Sequence, residues 1–118
     1  MSKFVETTYS NKKGILKFPD HYVNVAVTVS DAGVTAVDGK KIVPAGTILG
    51  GGFLASESVL AVKTNDEGAE GVLFNDVDVT YGSAPGAALI HGFVALDKLP
   101  EAPTAEAIED LKQITFLK

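Results

Sequence analysis

Few side chains in this sequence have the type and spacing to do chemistry. His21 stands in a polar turn, Pro19-Asp20-His21-Tyr22, and His91 lies inside the apolar run Leu89-Ile90-His91-Gly92-Phe93. A histidine acting as general base needs a positioned nucleophile and an orienting carboxylate. No Gly-x-Ser-x-Gly elbow is present to supply the nucleophile. His91 is therefore expected to be partly buried with its nitrogens hydrogen-bonded to backbone, and His21 to be solvated. Asp76 and Asp78, with Asn75 beside them, would share one face of a regular strand and approach a hard cation. Calcium takes six to eight oxygens, usually from a loop of fixed pattern. The glycine and distal glutamate of an EF-hand are missing here. A solvent-facing polar row that keeps a sheet edge soluble is the expectation for these two carboxylates.

Two glycine-bearing loops invite a phosphate reading and fail it. Gly33 to Lys41 has five residues between its glycines where a P-loop needs four, and it ends in Lys41 where a Ser or Thr should meet magnesium. Gly50-Gly51-Gly52 has no βαβ unit around it, so it is read as a flexible or close-approach turn rather than a dinucleotide fingerprint. An enzyme built on this chain would have only His91, Asp76 and Asp78 to recruit. The expectation is therefore no enzyme, no catalytic residue, no metal and no organic cofactor.

Composition narrows the classes further. The chain has 118 residues, the length of one domain, and no cysteine. Disulfides and thiolate chemistry are thereby excluded. All ten basic residues are lysine and the net charge is -5. An acidic chain without arginine is a poor match for nucleic acid or an anionic membrane. The aromatics are not interleaved with basic residues, which argues against a single-strand stacking platform. Met1 to Thr7 lacks a signal-peptide core, and no apolar run approaches a membrane span of about 18 residues. The expectation is a soluble protein made in a cytoplasm.

The elements that must position these residues are mainly strands. Val23, Val25, Val27 and Val29 alternate with polar or small residues, predicting a half-buried strand over Asn24 to Ser30. Asp38-Gly39-Lys40 between Val34–Val37 and Lys41–Val43 predicts a hairpin. Thr47–Leu49 and Val59–Thr64 read as further strands. From Gly71 to Thr80, Val72 and Phe74 lie on one parity and Val77 and Val79 on the other, so a bulge or bend is expected at Asn75-Asp76. Ala87 to Leu96 carries apolar residues on both parities and reads as a central strand covered on both sides. One short helix is expected near the C-terminus, capped by Thr104, with Glu106 in its first turn, Lys112 in its last, and Ile108 and Leu111 sharing a face. Ile114, Phe116 and Leu117 read as a final strand at a sheet edge. The fold class expected is mainly β: a compact small β-barrel or β-sandwich-like domain over residues 14–118 with one short C-terminal helix. Residues 1–13 are either an N-terminal arm or an edge strand begun by Phe4 and Val5.

Three stretches carry a family resemblance. They are Pro44-Ala45-Gly46-Thr47-Ile48-Leu49-Gly50-Gly51, then Glu70-Gly71-Val72-Leu73-Phe74-Asn75-Asp76-Val77-Asp78-Val79-Thr80, then Ala88-Leu89-Ile90-His91-Gly92-Phe93-Val94. Together they resemble the small head decoration proteins of tailed bacteriophages. The run Phe93 to Pro100 and the C-terminal helix are similar to phage head-fibre and capsid-locus proteins, so the resemblance spans residues 40–117. Glu70 departs from it, standing where a small residue would precede Gly71. The resemblance implies a β-rich homotrimer on the outer surface of the virion, bound to the major capsid protein and cementing the shell. It implies no catalytic residue. The alternative within the same setting is a virion-surface module attaching to host carbohydrate, which the lack of tryptophan weakens. In the arm reading, Thr7, Thr8 and Tyr9 suit an extended segment that adds a strand to an exposed edge of the capsid protein.

Overall fold

Alternation in the valine run builds strand β1 (Val23–Val29). The structure, a computed structural model, describes residues 15–18, 20–56 and 58–118. After β1 come β2 (Ile42–Val43), β3 (Ile48–Gly50), β4 (Val62–Lys63), β5 (Ala69–Leu73), β6 (Val77–Asp78) and the long β7 (Ala84–Ala95). A 3-10 turn, Leu96–Lys98, leads to helix α1 (Ala105–Asp110) and strand β8 (Ile114–Leu117). Among the described residues strand makes up 40% and helix 9%, so the fold is mainly β.

The main sheet runs β1-β7-β5-β3-β4, with β8 also on β7, while β2 and β6 form a separate ribbon. Only the β7–β8 pairing is parallel among the paired strands. Successive residues of the central strands point to opposite faces, and each face has its own core. Ile48, Val72 and Leu89 join Ile15, Val94, Ala107, Leu111 and Ile114 on one side. Leu49, Leu73 and Ala88 join Val27, Val29, Phe53 and the ribbon's Val43 and Val77 on the other. The sheet is thus a middle layer, with α1 on one face and the ribbon on the other. A parallel bridge from Val29 to Ala61 ties the end of β1 to the approach of β4. The sheets are nonetheless not closed into a barrel.

Three local expectations change. Asp38 and Gly39 both have positive φ (54° and 78°), giving the primed turn expected of Asp-Gly. Pairing stops at Val37 and Lys40, however, because Ile42–Val43 pairs with β6 instead. That choice buries Val43 and Val77, whereas Val37 stays exposed. The break at Asn75-Asp76 is more than a bulge: β5 belongs to the main sheet and β6 to the ribbon. In α1 the buried residue is Ala107, joined by the buried Leu111 at the helix's C-terminal cap one turn on, while Ile108 faces outward and Lys112 falls beyond the helix. Thr104 caps α1 as expected, its hydroxyl accepting from the Ala107 N–H.

Candidate functional site

Strand β7 carries the site, and a slip in its alternation creates it. Leu89 and Val94 are five positions apart yet enter the same core, so the face must switch once between them. The register places the switch: Val23 pairs with His91 and Asn24 with Leu89, leaving Ile90 as an extra residue. Asn24, at the shift, keeps a buried Oδ1 with no partner among the described residues. Gly92 completes the device, with φ +152°. A Cβ there would meet the Tyr22 Cβ at 3.3 Å and the His21 carbonyl at 3.4 Å. Glycine therefore lets the chain entering β1 lie close against β7.

The consequence is that the two histidines meet. Their Nε2 atoms are 3.2 Å apart, and their ring centroids 5.2 Å apart with planes at 63°. On its other side, His91 Nδ1 is 3.0 Å from the Gln113 Oε1. An amide oxygen only accepts, so Nδ1–H donates to it; in the neutral His91 ring Nε2 is then the acceptor, and the proton between the rings comes from His21. Aromatic side chains frame the pair. Phe93 lies 6.1 Å from His21 and meets Phe18 edge-on at 5.5 Å. Tyr22 stacks on Phe74 at 5.2 Å. His91 thus finds its partners in side chains, not in backbone as expected, and His21 is exposed but not alone. No signal of spacing links residues 70 positions apart; a glycine inside an apolar strand was the available hint.

The acidic pair has a different fate. Asp76 Oδ1 accepts from the Ala45 N–H at 2.7 Å. Asp78 accepts from both the N–H and the hydroxyl of Thr80. The Thr80 bonds, with Lys40 nearby, hold the Asp78 carboxyl below its ordinary range against a small opposing effect of burial. Asp76 thus ties down the distant Ala45 backbone, and Asp78 holds the turn at Thr80. Among the described residues no three His, Cys, Asp or Glu side chains gather at one point.

Around Asp76 three segments form a joint. Gly46 N–H donates to Leu73 O at 2.7 Å, and Leu73 N–H to Thr47 O at 2.8 Å. A Cβ on Gly46, whose φ is +92°, would lie 2.8 Å from Pro100 and 2.9 Å from Leu99. Glu70, unexpected in its place, organises a loop. Its carboxylate accepts from the N–H groups of Gly52 and Phe53 and, at 3.4 Å, of Leu54. The triple-glycine loop is a fixed turn held by that carboxylate. Thr7, Thr8 and Tyr9 lie outside the described residues, as do Phe4 and Val5.

No protein-family model matches the chain, and no curated protein is detectably similar to it. Among the described residues no helix is long and apolar enough to cross a membrane.

Proposed function

We propose that this protein is a head decoration protein of a tailed bacteriophage, which binds the major capsid protein on the outer surface of the capsid and stabilises the shell. One observation carries the reading. Two of the stretches on which the resemblance rests, and the run that follows the third, are separate in sequence but meet at one place: Ala45 on Asp76, Gly46 on Leu73, and Gly46 close to Leu99 and Pro100. The mainly β, layered body suits a part that presents rigid faces to a shell.

A homotrimer would match a three-fold position on such a shell, and linked contacts would bind more tightly than any one alone. The body described begins at Ile15, which is fully buried and accepts from the Ala95 N–H. Removing residues 2–12 leaves that anchor in place. The arm reading of Thr7, Thr8 and Tyr9 then expects a folded protein that no longer decorates heads.

The test is to mix the full chain with purified undecorated heads and sediment them. Co-sedimentation at saturating stoichiometry, with heads more resistant to heat, is the expected result. Binding to host cell wall with no binding to heads would replace the reading with the carbohydrate-attachment one. Light scattering at micromolar concentration reports whether the trimer forms before the shell is met.

A further inference from the structure

We propose that His21 and His91 form a two-ligand site for a divalent late first-row transition cation, with zinc, nickel and copper as the ions that imidazole suits. This goes beyond the shell-binding role and does not depend on it. The geometry is the argument. Zinc sits about 2.0–2.1 Å from a histidine nitrogen. Two such bonds at a tetrahedral angle place the nitrogens about 3.4 Å apart, and at a right angle about 2.9 Å. The observed Nε2 separation of 3.2 Å lies between them. A cation would take the place of the shared proton.

The surroundings have the form of a ligand's outer shell. A ligating histidine commonly donates its other ring N–H to a fixed acceptor, which sets the tautomer and the ring orientation. Gln113 Oε1 does this for His91 Nδ1. The extra residue Ile90 and the glycine at 92 bring His21 within reach. Phe93 lies beside His21, with Phe18 packed edge-on against Phe93. Neither histidine belongs to a hydrophobic core. The ion is therefore an addition to a complete fold, with water or a donor of another molecule filling its remaining positions. Nitrogen donors on an exposed surface do not suit calcium, which takes oxygen.

The tag-free full chain is titrated with zinc chloride in a calorimeter at neutral pH. One zinc per chain is expected, with the heat abolished in both His21→Ala and His91→Ala. Gln113→Ala should weaken binding about tenfold, the lower end for an outer-shell partner. Asp76→Asn should bind as the parent does. Acidification should release the ion, since imidazole ligates only when neutral. Ring-nitrogen NMR of the parent protein keeps the test independent of how the variants fold. Zinc should move both Nε2 resonances and leave the Nδ1 proton of His91 in place. No heat, heat that survives in both histidine variants, or a shift confined to one ring would overturn the proposal.

Discussion

At Asn75-Asp76 the chain leaves the main sheet for the ribbon, and the Asp76 carboxylate turns onto the Ala45 N–H. At Ile90–Gly92 the chain stays in the sheet, slips by one residue, and places His91 on the partly exposed side beside His21. Both places break strand alternation. The first joins two layers and is closed by backbone and carboxylate bonds around Gly46. The second re-aims side chains and leaves ring nitrogens within reach of solvent. A break that changes sheets is tied to the stability of the whole fold. A break within one sheet can vary with little cost to either core and is free to hold a ligand. Substitutions at each place separate the two roles.

The largest effect is expected at the joint. Gly46→Ala combines a strained positive φ with a methyl group driven into Leu99 and Pro100. Strain of that kind costs about 1–3 kcal/mol, and overpacking a similar amount. Urea unfolding should show a loss of about 3 kcal/mol or more. Asp76→Ala should follow, at about 1–3 kcal/mol, because it leaves the N–H of the buried Ala45 without its acceptor. Asp76→Asn keeps an oxygen in place and should cost less. A joint insensitive to both changes would remove the distinction between the two breaks.

At the second break Gly92→Ala is the matching change. The added Cβ presses on Tyr22 and His21, and φ is unfavourable for any side chain. About 1–2 kcal/mol is expected from the backbone strain. The specific expectation is separation of the rings: the NMR coupling between His21 and His91 should vanish while both cores keep their native shifts. Collapse of the cores in this variant would show that the edge is as structural as the joint.

These two breaks also mark what the sequence made legible. The switch at Asn75-Asp76 was readable because the apolar residues on either side fall on opposite parities. The slip at Ile90 was not, because Ala87 to Leu96 is apolar on both parities and any register looks acceptable. A strand buried on both faces loses the alternation that would reveal a bulge. The helix shows the same loss on a small scale. Ile108 has the apolar side chain, but Ala107 and Leu111 fill the space over the sheet. Glu70 was visible only as a departure, since its partners are backbone N–H groups of a loop that carry no residue code. Turn chemistry at Asp38-Gly39 and the Thr104 cap were legible because they are set by neighbours in sequence.

The smallest effect concerns two surface carboxylates, Asp78 and Glu101. Asp78, just past the first break, is held below its ordinary range chiefly by hydrogen bonds from Thr80. Glu101 is lowered by its bond and charge interaction with Lys63, 2.7 Å away, and by Asn65. In both cases the unfolded chain binds a proton at higher pH than the folded one. Each contribution is therefore fully present above the unfolded-state value and is lost as pH falls through the folded one. Asp78→Asn and Glu101→Gln should each flatten the acid side of the stability profile. Salt distinguishes them. The Lys63–Glu101 pair is more than half exposed on both sides, so the charge part of its share should weaken at high ionic strength. The Thr80 bonds to Asp78 are direct hydrogen bonds within three residues and are not screened in this way. The acid slope attributable to Asp78 should therefore survive 1 M salt while that of Glu101 shrinks. Equal loss of both slopes would mean that Lys40, not Thr80, governs Asp78, and that the first break owes its local order to charge instead of to its turn.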